Sequence, residues 1–376
     1  MDELNLRQSA PRGPGFAGGA ALLLLASFWM ATVFGTSAQP PTPGLRFELR
    51  LRRLFETNAP GIRALALPTN AFLYSLGERR GSDRVIAVRS QIQGPVLLLS
   101  DELDFERGRP WSRPEYAQGL ASIRAHIEKL RSAGVGRIVL LPVPTKASVL
   151  AQADPAVAED ACAAISTKGA GTALDSAPTC DGKTTADAYR RLAMSFARDP
   201  DITVVSLQDL FVEETRKGAV VYAYEDTHWT SFGMALAARE TLRTWRGEAL
   251  DLVRVGTVPD RPGDLQRMLA LPERPSLRTH PLAEVRYELP ASNASCTSRV
   301  FLLGTSYSLH DQGLAAMLER GSNCRVIDLS VSGLGADASF DSLLADRPAL
   351  DGAVVIWEFP FRSLLFAGAF TRPELR

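Results

Sequence analysis

Apolar positions along this chain follow two alternating rhythms, one at helical spacing and one in short unbroken runs. Over residues 115–133, Leu120, Ile123, Ile127 and Leu130 recur every three or four residues, which predicts an amphipathic helix. Residues 137–142 form a short apolar run and read as a buried strand. The alternation continues with a helix over 185–197, a strand over 202–207, a helix over 208–217 and a brief strand over 220–223. A helix over 231–245 follows, with Thr230 or Ser231 as its N-cap. Beyond a Pro-rich stretch at 259–295, strands are predicted at 299–303, 325–329 and 352–357, separated by helices over 308–320 and 338–345. Strands alternating with helices imply an α/β fold: a doubly wound, mostly parallel sheet with helices on both faces. Ligands of such sheets bind outside the carboxyl ends of the strands.

The N-terminal pattern differs. No charged residue lies between Arg12 and Arg46, and the run from Phe16 to Phe34, with Leu22, Leu23, Leu24 and Leu25 inside it, is almost wholly apolar. That length is enough to cross a bilayer and exceeds a usual signal-peptide core. The expected organisation is a cytoplasmic tail over 1–12 and a transmembrane signal anchor over 13–35. A Pro-rich linker over 36–60, with a short helix near 46–56, then leads to one α/β domain over 61–376. Thr36-Ser37-Ala38 offers a cleavage site, so a cleaved signal is the alternative. Arg7 and Arg12 precede the span while Arg46, Arg50, Arg52 and Arg53 follow it. A bare count would keep the C-terminal side inside, but large domains translocate largely regardless of charge.

Composition narrows the function. The 42 Lys and Arg balance 42 Asp and Glu, which leaves no basic footprint for a nucleic acid. No Gly-rich phosphate loop is present, and four His and four Cys do not cluster at metal-ligand spacing, so neither a cofactor nor a metal is expected. Cys296 and Cys324 each lie just before a predicted strand. If those strands are parallel neighbours, both cysteines sit at one edge of the sheet and a disulfide fits. Cys162 and Cys180 bracket a Gly/Ser/Thr/Ala-rich excursion that a second disulfide would close. The other reading of the four is buried thiols. An even count behind a membrane-targeting start points to an oxidising compartment. The expected location is the periplasm, anchored to the inner membrane.

Two distant motifs supply candidate chemistry: Tyr224-Glu225-Asp226-Thr227-His228-Trp229-Thr230, and Gly304-Thr305-Ser306-Tyr307-Ser308 directly after Val300-Phe301-Leu302-Leu303. A serine hydroxyl needs a base to take its proton, and the base needs a group that fixes its tautomer. Ser306 is the candidate nucleophile, His228 the base and Asp226 its orienting carboxylate. Both motifs follow predicted strands, which places them on one face of the sheet. Against this, Ser306 would simply cap a following helix, and His310, four residues on, is a rival base. His310 has no evident carboxylate partner, because the adjacent Asp311 would point elsewhere on the helix.

The pair of motifs resembles the SGNH/GDSL hydrolase-like superfamily and, within it, the permuted AlgJ/AlgX group of bacterial alginate O-acetylation proteins. Three further segments match that group: Leu141-Pro142-Val143-Pro144-Thr145-Lys146-Ala147-Ser148, then Ser231-Phe232-Gly233, and Ile356-Trp357-Glu358-Phe359-Pro360-Phe361-Arg362. The likeness covers roughly residues 85–365 and is interrupted around 248–295. Gly-Thr-Ser stands where GDSL esterases have Gly-Asp-Ser, as in the alginate group. The asparagine that helps form the superfamily's oxyanion hole is not identifiable. The chain ends soon after Arg362, without the carbohydrate-binding module of AlgX, which favours the AlgJ side.

The resemblance implies transfer of an acetyl group onto an exopolysaccharide through an acetyl-serine. The donor would come from a membrane-bound O-acyltransferase partner. The resemblance also implies that Gly333 or Gly335 gives a backbone N–H to the oxyanion hole, as would Ser306. Tyr307, Trp229, Lys146 and Arg362 join as candidates for substrate contact. The alternatives are packing for Trp229, holding a loop for Lys146 and an ion pair for Arg362. A carbohydrate acetyl esterase with the same triad and a non-catalytic glycan-binding subunit are the rival functions.

Overall fold

The computed structural model describes residues 85–103, 109–168, 180–259, 263–269, 283–310, 313–333, 335–345, 350–365 and 369–370. The predicted anchor, its linker and the helix near 46–56 lie outside the described residues. Among those described, no helix is long and apolar enough to cross a membrane.

The chain runs β1 (Val85–Ser90), β2 (Gly94–Leu99), α1 (Ser100–Leu103), α2 (Pro114–Ser132), β3 (Arg137–Val143), α3 (Lys146–Ala153), α4 (Pro155–Lys168) and α5 (Lys183–Met194). It continues with β4 (Ile202–Val204), α6 (Gln208–Arg216), α7 (Ser231–Arg246), β5 (Val253–Pro259), α8 (Asp264–Met268) and β6 (Ala283–Glu288). The last part holds β7 (Val300–Leu303), α9 (Leu314–Ser322), β8 (Val326–Asp328), α10 (Phe340–Ala345) and β9 (Val354–Pro360). Five strands form one parallel sheet in the order β4-β3-β9-β7-β8. β9 sits at its centre with every residue buried, and β7 beside it is buried throughout. That is why these strands read as unbroken apolar runs: each is covered on both sides.

The two faces separate with period two. Val139, Leu141, Val300, Leu302, Val354 and Ile356 pack with Phe211 of α6, Met234 and Leu242 of α7 and Leu318 of α9. Their sequence neighbours Ile138, Leu140, Phe301, Leu303, Val355 and Trp357 pack with Ile123 and Ile127 of α2, Tyr189 of α5 and Phe340 of α10. This is the predicted doubly wound α/β architecture.

Several boundaries differ. The segment predicted as a strand at 220–223 does not join the sheet. It doubles back on itself: Tyr222 forms a lone antiparallel bridge with Trp229, and the Ala223 and Thr230 N–H groups bond His228 and Val221 carbonyls at 3.1 and 2.9 Å. The Tyr222 hydroxyl, donating to the Pro144 carbonyl at 2.6 Å, moors this loop beyond the carboxyl end of β3. The helix expected from 308 begins only at Leu314, behind Gly313 at φ 87°. Residues 306–310 form a turn instead, in which Thr305 and Ser308 are bonded to a buried glutamate, described below. Residues 85–99, for which no strand was predicted, form the antiparallel hairpin β1–β2. The divergent 248–295 region holds a second hairpin, β5–β6, and the short α8.

Both expected disulfides are present, Cys162–Cys180 and Cys296–Cys324, with Cα atoms 5.3 and 5.1 Å apart. The second follows from β7 and β8 being parallel neighbours, as anticipated. Closing a separation of 28 residues restricts the unfolded chain by about 3 kcal/mol. Replacing Cys296 and Cys324 by Ala is therefore expected to lower unfolding stability by about that amount, read as a shift in the urea midpoint. Reductant, which opens both disulfides, should shift the midpoint of the parent protein further than this double replacement does.

Candidate active site

The nucleophile turn starts from Gly304, where a Cβ would collide with the Ser308 and Ser330 hydroxyls. Next to it, on the central strand, Glu358 is fully buried. Its carboxylate accepts from the Thr305 N–H at 2.6 Å, the Thr305 hydroxyl at 2.9 Å and the Ser308 hydroxyl at 2.9 Å. Burial raises the Glu358 pKa, and these bonds oppose the rise. Strapped on both sides, the turn leaves Ser306 between them, half-buried.

The opposing loop is built from a helix cap and a buried cation. Thr230 caps α7 by accepting from the Gly233 N–H at 3.1 Å. Lys146, the first residue of α3, is 1% exposed, and its ammonium donates to four carbonyls. These are Ala223 at 2.6 Å, Tyr224 at 2.9 Å and Asp226 at 3.0 Å in the loop, and Leu97 of β2 at 2.7 Å. Burial pushes the Lys146 pKa down to about 8, against the pull of Glu102, Asp226 and Asp264.

Cross-ties lock loop to turn. The buried Trp229 indole donates to the Tyr307 carbonyl at 3.0 Å, and the buried Tyr307 hydroxyl donates to the Thr227 carbonyl at 2.8 Å. Arg362 donates to that same hydroxyl at 3.0 Å and to Glu102 at 2.9 Å. Lys146, Arg362, Trp229 and Tyr307 thus all lie in the scaffold behind the site. For Lys146, Arg362 and Trp229 this is the structural one of the two roles predicted.

Between these supports, His228 Nδ1 lies 2.5 Å from Asp226 Oδ1 and His228 Nε2 lies 2.8 Å from Ser306 Oγ. Burial alone would raise the Asp226 carboxyl. The hydrogen bond and charge of His228, with backbone N–H groups from His228 and Asp264, outweigh burial and hold it well below the usual range. An anionic Asp226 accepting from Nδ1–H leaves Nε2 as the acceptor for the serine proton. His310, the rival base, stacks on His228 with centroids 5.3 Å apart and ring planes within 3°. Tyr307 flanks the same imidazole at 4.8 Å. Gly333 and Gly335 have φ values of 78° and 105°, which glycine tolerates best. Gly333 is exposed, and Gly335 backs onto the Ala369 carbonyl. Their segment is tied to the nucleophile turn through the Val331 N–H, which bonds the Gly304 carbonyl at 2.9 Å.

Sequence reasoning missed three supporting acids. Glu358 lay inside a quoted motif without a role. Glu102 gave no local signal. Asp264 falls in the divergent stretch, yet it accepts from the Thr227 N–H at 2.7 Å and the Thr227 hydroxyl at 2.5 Å. Burial and the Asp226 charge raise its pKa. Asp226, His228 and Asp264 bring potential metal-ligand atoms within 4.8 Å of one another. Those atoms are committed to bonds with each other and with Thr227.

Comparison with known proteins adds the following. The family described as "SGNH hydrolase-like domain, acetyltransferase AlgX" matches residues 97–361. The chain is 26% identical over 205 residues to the probable alginate O-acetylase AlgJ of Azotobacter vinelandii, a match over 48% of this chain and 53% of that protein. The chain thus spans about half the length of that curated relative. The fold is similar to the O-acetyltransferase domain of Pseudomonas putida AlgJ, with a TM-score of 0.52 and 21% identity over 77% of this chain and 96% of the other.

Lys146→Met removes the ammonium that four carbonyls share, of which that of Tyr224 keeps the Leu97 N–H, and is expected to cost about 3 kcal/mol or more. Thermal unfolding would measure it. A gentler test uses pH. Lys146 keeps its proton below about pH 8 and loses it above, so one donor to the loop disappears on the alkaline side. Turnover is expected to fall as pH rises through that value, measured as an alkaline limb in the rate profile.

Proposed function

This chain belongs to the SGNH hydrolase-like acetyltransferase family of AlgX, and we propose that it is a polysaccharide O-acetyltransferase with Ser306 as nucleophile. The observation that carries this reading is the unbroken chain from Ser306 Oγ through His228 to Asp226. In the first half-reaction Ser306 Oγ attacks the carbonyl carbon of an acetyl ester while its proton passes to His228 Nε2. Asp226 holds the imidazolium formed. The donor's C–O bond breaks, its oxygen takes the proton from Nε2, and acetyl remains on Ser306. In the second half-reaction a sugar hydroxyl gives its proton to Nε2 as its oxygen attacks the acetyl-serine. Ser306 Oγ leaves, recovers that proton, and the sugar carries the ester.

The oxyanion needs N–H donors that are free to meet it. Within the turn, Thr305, Tyr307 and Ser308 direct their N–H groups to internal acceptors. This supports the Ser306 N–H in that role, with the N–H of Gly333 or Gly335 as the second donor that the family resemblance implies. The acceptor polymer is an exported exopolysaccharide, with alginate suggested by the name of the relative. A periplasmic location is supported by the two disulfides, and inner-membrane anchoring by the apolar run at 13–35. There a membrane-bound O-acyltransferase would present the acetyl group.

The test incubates the protein with an acetyl ester and a panel of bacterial exopolysaccharides. Mass spectrometry of the intact protein follows acetyl-enzyme, and product analysis separates acetylated glycan from free acetate. Ser306→Ala and His228→Ala are each expected to lower turnover by about 10³-fold or more, with folding retained. Acetate without acetylated glycan would make the protein an esterase. Equal turnover by Ser306→Ala and the parent would remove the nucleophile assignment.

A further inference from the structure

Asp264 stands in the part of the chain with no motif, yet it is built into the relay. Its backbone N–H donates to Asp226 Oδ2 at 3.0 Å, and its carboxylate takes both donors of Thr227, the residue between Asp226 and His228. Its Oδ2 lies 3.8 Å from His228 Nδ1. The approach is close: a Cβ on Gly263 would overlap the Glu225 carbonyl, and the Gln266 N–H bonds that carbonyl at 3.1 Å. Helix α8 is held there by Leu265 and Leu269, which pack with Val85 and Leu97 of the β1–β2 hairpin.

We infer that Asp264 is a positioning carboxylate of the relay, clamping the Asp226–His228 loop through Thr227 and placing a second negative charge beside the Nδ1 edge of the imidazole. The inference rests on the acyl-transfer reading of Ser306. Among the described residues, the charged and titratable groups that face His228 come from four elements. Asp226 comes from its own loop, Asp264 from α8, Tyr307 and His310 from the nucleophile turn, and Glu358 from β9. Lys146 and Arg362 lie behind the loop.

Two carboxylates sharing a half-buried site repel each other, which works against the resting fold. The repulsion eases when the serine proton reaches Nε2, because the imidazolium then faces both. A purely mechanical clamp would need only a neutral acceptor for Thr227. On this inference the charge, 3.8 Å from Nδ1, acts on the base in addition to the bonds.

The experiment compares Asp264→Asn, Thr227→Val and Ser306→Ala by the pH dependence of kcat/KM for acetyl-enzyme formation from p-nitrophenyl acetate. Asp264→Asn is expected to slow the reaction about 10-fold or more. It should also move the acid limb of the profile to lower pH, the direction expected when one of two facing anions is removed. Thr227→Val breaks the hydroxyl bond but keeps the charge, so it should slow the reaction with the limb in place. Gly263→Ala, which pushes α8 off the loop, should shift the limb in the same direction as Asp264→Asn and covers the case in which that variant does not fold. A limb unmoved in Asp264→Asn, or in Gly263→Ala where the other is unfolded, overturns the inference and leaves Asp264 a brace. Undiminished rate in Ser306→Ala would instead overturn the acyl-transfer reading itself.

Discussion

One buried ammonium organises the base side of this site. A charge removed from water is tolerated only where hydrogen bonds replace its hydration, and Lys146 meets that condition with four carbonyls. Three belong to the Asp226 loop and the fourth to β2, while the lysine itself begins the helix after β3. A single side chain therefore joins the sheet's carboxyl edge, the N-terminal hairpin and the loop that carries His228. The loop contributes no strand to the sheet, so its path is set by this ammonium together with the ties from Tyr222, Trp229, Tyr307 and Asp264.

The nucleophile side uses the opposite sign. Glu358, buried in the central strand, collects donors from the residue before Ser306 and from the second residue after it. A buried carboxyl group beneath the serine and a buried lysine beneath the histidine hold two separate segments, and the Trp229–Tyr307–Thr227 ties fix the distance between them. Arg362 and Glu102 then anchor Tyr307 from behind. Because each residue in this network satisfies another's buried polar atom, a single truncation exposes an unpaired partner as well as removing a contact. Positional precision at the 2.8 Å Ser306–His228 contact is thus inherited from the layer of side chains packed behind it.

How far the sequence showed this can be followed residue by residue. The strands and helices of the sheet were legible because burial on one or two faces imposes a period on apolar residues; the Cys296–Cys324 disulfide followed once β7 and β8 were read as parallel neighbours, and Cys162–Cys180 from the excursion those two cysteines bracket. Ser306, His228 and Asp226 were legible because their chemistry demands particular residue types in motifs that resemble a known family. The 220–223 segment misled because a short apolar stretch has the same pattern whether it pairs with a sheet or folds back on itself. The helix after Ser306 misled in the same way. Propensity favoured an early start, while hydrogen bonds to Glu358, some fifty residues away in sequence, held Thr305 and Ser308 in a turn.

What the sequence determined by itself is therefore what local pattern and residue chemistry encode: an α/β chain, its paired cysteines and a serine, a histidine and an aspartate suited to acyl transfer. What only the tertiary structure decided is how charge is spent. Lys146 and Arg362 have the composition of substrate-binding residues, and Asp264 that of a surface acid in a Pro-rich stretch. Their partners are backbone carbonyls, a tyrosine hydroxyl, a threonine and the carboxylates of Glu102 and Asp226, all distant in sequence from the residues they meet. No local pattern marks which of these a charged side chain will meet, because that depends on which segments the fold brings within about 3 Å of each other.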